Sequence, residues 1–257
     1  MGARPATLVR WLEPFVSGLW ILFLLWTAWI ACVWTFALGD ASLDGVGNRD
    51  LRAVLVWIIG AGDIAWITLA AASVHLWLAE TEGLSTARRW ALIVGGGAAA
   101  LGAVSALSGW PLGAIQYSTQ LGMKLGPVPV GLPLLWYALI VGARQTVLRW
   151  RPSAAPLPLA LGTGALALLA DVNIEPVAAK LRAFWLWRAA DPAQPPVFTP
   201  PWTNYAAWFL AASALAFLLR EERVAVSPRR DTLRPVIIFL LLNAVFLAAN
   251  LGRFLRG

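Results

Sequence analysis

Val16 to Leu38 reads VSGLWILFLLWTAWIACVWTFAL, and this stretch decides the fold class. It carries no charge and is longer than the about 20 apolar residues that a helix needs to cross the hydrocarbon. Arg4 and Arg10 precede it, as basic residues precede a secretory leader. The run is too long for a leader's apolar segment, however, and no small-residue cleavage site closes it. It is read as a retained first transmembrane helix. Further apolar runs follow at 53–79, 90–108, 130–148, 155–172, 203–220 and 235–252, with 155–172 the short one. In lipid the backbone must satisfy its own hydrogen bonds, and no alternating strand pattern competes with the helices. The expectation is an all-α, polytopic integral membrane helix bundle of about seven transmembrane helices, forming a single transmembrane domain over residues 1–257.

Composition agrees. Hydrophobic residues make up 60% of the chain and charged ones 13%, about half the charge fraction of a soluble domain. There are 16 tryptophans, a residue enriched at membrane interfaces. The net charge of +7 does not point to nucleic acid, because the basic residues sit in short clusters between apolar runs, as in cytoplasmic loops. The single cysteine, Cys32, and the single histidine, His75, exclude a disulfide framework and a Cys- or His-rich metal cluster. No phosphate-binding, zinc-protease or dinucleotide fingerprint is present, so the expectation is no cofactor and no metal.

With the N-terminus cytoplasmic, twelve of the 20 Lys and Arg fall on the cytoplasmic face, among them Arg88, Arg89, Arg144, Arg149 and the cluster from Arg220 to Arg234. The opposite face takes eight. The bias favours this orientation in the inner membrane of a bacterial or archaeal cell. Whatever the sign, seven helices place the first, third and fifth loops on one side. These carry Asp40, Asp44 and Asp50, then GWPLGAIQYSTQLG, then the polar interval from Asp171 to Trp208. A site at one membrane surface follows.

Within that interval Asp171 and Glu175 are four residues apart, hence on one helix face, and Pro176 ends or redirects the helix. Two carboxylates held close repel when both are ionised, so one tends to keep its proton near neutral pH, as a general acid must. The bland alternative is a pair in headgroup water that only ends a helix. Asp63, in IIGAGDIAWITL, lies inside the second apolar run, where an ionisable group usually faces the bundle interior. It either has a function or is bonded to another helix, for instance to Asn243 or Asn250. Indoles of the first two helices, such as Trp34 and Trp66, either pack the bundle or line a slot for a long conjugated or isoprenoid ligand.

From residue 102 to 210 an ordered set of motifs recurs. It comprises Gly109, Pro111, Leu112, Gly113 and Tyr117 with Ser118-Thr119; Val128-Pro129, Pro133 and Trp136; Asp171, Glu175 and Pro176; Trp185 and Trp187; and Pro201, Asn204, Tyr205 and Trp208. This set resembles the membrane-bound carotenoid biosynthesis family that includes the bisanhydrobacterioruberin hydratases, also described as carotenoid 1,2-hydratases of acyclic ends. Three departures stand out. Gly102 occupies a position where the family carries Glu, PAQPPVFTP replaces its linking glycines, and Glu175 stands where it has Asp.

The resemblance implies acid-catalysed addition of water to the terminal double bond of an acyclic carotenoid, without metal, nucleotide or redox partner. It makes Asp171 or Glu175 the proton donor. Asn204 and Tyr117 would order water, Trp185, Trp187 and Trp208 would line the site, and Asp63 is a secondary candidate. The partners expected are a carotenoid or other long isoprenoid lipid within membrane lipid, and no nucleic acid. The alternative is a non-catalytic carotenoid-binding or structural subunit of a membrane complex, suggested by Gly102 and the altered linker. A weaker third reading, a lipid transporter, turns on Asp63.

Overall fold

The computed structural model describes residues 6–38, 43–189, 195–219 and 233–256. Seven helices account for most of them: α1 (Ala6–Thr35), α2 (Arg49–Thr81), α3 (Leu84–Ser108), α4 (Gly131–Trp150), α5 (Pro156–Pro176), α6 (Trp202–Leu218) and α7 (Leu233–Arg256). All but α6 are long and apolar enough to cross a membrane. The protein is an integral membrane protein by that measure. The short helix is α6, with 17 residues, and not the run at 155–172. That run continues through Pro176 into a π-helical turn, Val177–Leu181, which gives a span of 26 residues. Helix α2 likewise starts before the expected residue 53, because the Asn48 side chain accepts the Leu51 amide proton and caps its first turn. Arg4, Asp40 and the basic residues 220–230 used for orientation lie outside the described residues.

Pro176 redirects its helix. It has no N–H to continue the ladder, and the chain widens until the Arg182 amide closes on Val177 O at 2.9 Å. Ala183 then takes a left-handed conformation (φ 48°) and turns the backbone into a short strand. Among the described residues four such strands lie outside the helices: β1 (Ile115–Tyr117), β2 (Lys124–Leu125), β3 (Val128–Pro129) and β4 (Trp185–Trp187). The sequence reading did not foresee them. Strands β2 and β3 form a hairpin. Strands β1 and β4 pair antiparallel with Tyr117 opposite Trp185 and Ile115 opposite Trp187. That ladder ties the loop after α3 to the chain leaving α5, so the third and fifth loops meet as their shared side requires.

Beneath the ladder α3, α4, α5 and α6 form a ring. The tightest seam is α5–α6, where a Cβ on Gly164 would stand 2.7 Å from Phe209 O; only glycine lets the backbones come so close. Helices α1, α2 and α7 pack beside this ring. Their shared core is an aromatic cluster in which Trp34 lies within 5–6 Å of Trp66, Phe184 and Phe246. The indoles of Trp34 and Trp66 are thus packing residues.

Candidate functional site

Asp171 and Glu175 occupy consecutive turns of α5 on one face, and both are buried. Asn204, in the first turn of α6, joins them. Its Nδ2 donates to Asp171 Oδ2 at 2.9 Å and to Glu175 Oε1 at 3.0 Å. Trp185 Nε1, brought down by β4, donates to Glu175 Oε2 at 3.2 Å. The two carboxyl groups also lie within hydrogen-bonding reach of each other. Asp171 Oδ1 meets no N–H or O–H donor among the described residues, and the Tyr117 hydroxyl is buried without a partner. No Lys or Arg is bonded to the pair among the described residues. A headgroup-water setting is thereby excluded for these acids.

Glu175 and Asn204 open onto a cavity of about 10 Å3, walled by Leu112, Ile115, Tyr117, Leu132, Trp136, Trp185 and Trp208. That is close to the smallest space that holds one water molecule. Trp208 stacks on Trp136 with ring centroids 4.0 Å apart and closes the floor. Tyr117 meets Trp185 edge to face. Burial, and after it the Glu175 and Asp171 carboxylates, push the Tyr117 phenol above its ordinary pKa, so it remains an O–H donor at any physiological pH.

Of the residues read from the sequence, Asp171, Glu175, Tyr117, Asn204, Trp185 and Trp208 are gathered here. Trp187 is not on the cavity wall. It lies above it, against Gly113, and bridges to Val197. Asp63 belongs to a separate cluster, and its expected asparagine partners are a correction. Arg182 holds Asp63 Oδ2 through Nε at 2.7 Å and Nη2 at 2.6 Å, and Trp34 Nε1 donates to Oδ1 at 3.0 Å. Asn250 instead donates to Asn173, and Asn243 to Phe239 O. Asp44 pairs with Arg52 at the surface, away from the cavity. Sequence reasoning missed Arg182, whose partner lies 119 residues earlier, and gave Trp136 no role. It did single out Gly102. A Cβ there would stand 3.1 Å from the Tyr117 hydroxyl and 2.8 Å from Leu132 Cδ2, so position 102 borders the cavity.

Comparison with known proteins identifies the setting of these residues. Residues 62–254 match the family described as carotenoid biosynthesis protein. The chain belongs to that carotenoid biosynthesis protein family. Asp63, Arg182, Asp171 and Glu175 all fall within the matched stretch, while α1 and the first turns of α2 precede it. Over 118 residues the chain is 34% identical to a bisanhydrobacterioruberin hydratase of Haloarcula japonica. The alignment covers 45% of this chain and 38% of the relative, so it spans well under half of that hydratase's length. No solved structure matches the chain. The cavity beside the acid pair is walled by apolar and aromatic side chains.

Proposed function

We propose that the protein hydrates the terminal isopropylidene double bond of an acyclic carotenoid. The observation that carries this reading is the buried Asp171–Glu175 pair on a water-sized cavity. Two carboxyls in hydrogen-bonding reach, both bonded by one Asn204 amide and without a cation, are accommodated by one shared proton. Glu175 faces the cavity and delivers that proton to the CH carbon of the double bond, the one that does not carry the two methyl groups. A C–H bond forms as the π bond breaks, leaving a tertiary cation between the faces of Trp136, Trp185 and Trp208. A cation over an aromatic face gains about 0.5–2 kcal/mol per ring. Water held by Tyr117 and Asn204 then attacks, the C–O bond forms, and the proton released returns to the carboxylate pair. One water is added across the double bond, and nothing is oxidised or reduced. The similarity to a named hydratase supports the same reaction class. Asp63, with both oxygens bonded, holds the bundle in this scheme and takes no part in the reaction.

Expression in a host that makes lycopene tests the reading. Extracts should contain lycopene that has gained one or two waters, and inserted protein that leaves every acyclic carotenoid unchanged would refute it. Gly102 supports a second reading, a carotenoid-binding protein without turnover, since the cavity lacks a side chain at that position. Coloured protein that copurifies with unmodified pigment would favour it.

A further inference from the structure

The cavity is narrow and the polar residues around it are buried. Asp171, Glu175, Tyr117 and Asn204 are all at most 3% exposed, and a space of about 10 Å3 admits water but not a branched isoprenoid end. A carotenoid is dissolved in the bilayer, so its end has to arrive sideways, between two helices of the ring. Three seams are poor routes. Gly164 locks α5 to α6, Gly162 packs on Val147 between α5 and α4, and Gly102 lies on Leu132 between α3 and α4. The fourth seam, α3–α6, is different. Its close contact is Gly97 on Leu215, with a Cβ position 2.5 Å from Leu215 Cδ2. Leu215 is eleven residues beyond Asn204, roughly 16 Å deeper along the helix.

Above that contact the side chains along the seam are small or partly exposed. Helical spacing puts Gly97, Leu101 and Val104 on the stripe of α3 that faces α6, and along it Gly97 and Leu101 are partly covered while Val104 is 48% exposed. The facing stripe of α6 presents two small residues, Ala211 and Ala207, on the way up to Trp208 and Asn204. At the level of the loops the two sides meet again, where Gly113 packs on Pro201. The outward neighbour Leu210 is 64% exposed, an apolar surface suited to lipid.

We propose that the α3–α6 seam, between the Gly97–Leu215 contact and the Gly113–Pro201 contact, is the lateral entrance through which the end of an acyclic carotenoid reaches the cavity. The inference rests on the reading of that cavity as the site for a carotenoid end. The polyene lies along Leu101, Val104, Ala207 and Ala211, and the end displaces Trp208 from its stack to enter.

Protection of an engineered thiol tests the entrance without relying on turnover. Cys32 is exposed, so Ala211→Cys and Leu210→Cys are made in a Cys32→Ser background and reconstituted into phosphatidylcholine vesicles. N-ethylmaleimide labelling is followed with and without lycopene. The Ala211→Cys thiol should react when lycopene is absent, and should be slowed in proportion to occupancy, roughly tenfold at about ten times Kd. Leu210→Cys should be unaffected. A plug, Ala211→Trp, should abolish lycopene uptake, whereas Leu210→Trp should retain it. Equal labelling of Ala211→Cys with and without lycopene overturns the entrance, as does a thiol that reacts only after denaturation. Protection without any hydrated product would remove the hydration reading and leave the entrance standing. Hydrated product without protection would do the reverse.

Discussion

Two buried acid clusters lie toward the same end of this bundle, and they are built in opposite ways. Asp63 is clamped by a bidentate Arg182 on one oxygen and by Trp34 on the other. Its charge is matched by a cation and each of its oxygens accepts at least one hydrogen bond. Asp171 and Glu175 are bonded to no cation among the described residues. They share an asparagine and an indole N–H, leave one oxygen without an N–H or O–H donor, and adjoin a cavity. Burial alone therefore does not mark a reactive carboxyl. What separates the two clusters is whether the charge is already answered by the protein.

That contrast predicts a double dissociation. The largest expected effect is on turnover. Glu175→Gln and Asp171→Asn should each cut product formation by about 10²–10⁴-fold, the usual contribution of a general acid, in protein that still inserts and keeps its melting temperature. Full turnover in both variants would break the contrast from one side. Removing Arg182 should act on the other side. Arg182→Ala leaves Asp63 buried and unmatched, which costs about 3–5 kcal/mol and should appear as a lower thermal midpoint in detergent. Turnover per folded molecule should stay near the parent value. The double variant Asp63→Leu with Arg182→Met should recover most of the lost stability, since replacing both charges is often neutral.

A smaller effect is expected at the cavity floor. Trp208→Leu removes an aromatic face from the cation and should reduce turnover by about 2- to 30-fold, the equivalent of 0.5–2 kcal/mol. Trp187→Leu, on a residue above the cavity, should change turnover less than Trp208→Leu does. Tyr117→Phe acts on the ordered water instead. The hydroxyl has no partner among the described residues, so stability should hold, while turnover falls about fivefold if one water hydrogen bond of about 1 kcal/mol is lost.

The spans were legible because lipid imposes a length and an apolar composition that any helix must meet. The Asp171–Glu175 face was legible for a related reason, since a four-residue spacing fixes a shared side. Pro176 announced the redirected helix through its missing N–H. The β1–β4 ladder was not legible. Three-residue strands make no alternating pattern, and Tyr117 finds Trp185 only through the tertiary fold. The Asp63–Arg182 pair was hidden likewise, because nothing local links an acid in α2 to a base that follows α5. Asn243 and Asn250 were plausible partners by depth, but they serve α5 and the backbone of their own helix. Gly102 was visible as a departure from a family pattern, and only the fold showed that it borders the cavity beside Tyr117.

The measurement that bears most directly on the acid pair is the fate of solvent atoms during turnover. Purified protein is reconstituted with lycopene in D2O containing labelled water oxygen, and the product is examined by mass spectrometry. Protonation by the Glu175–Asp171 pair followed by capture of water predicts one carbon-bound deuterium and one solvent-derived oxygen per hydrated end, with none formed by Glu175→Gln. A hydroxylated product without carbon-bound deuterium, or one formed equally well by Glu175→Gln, would contradict the account.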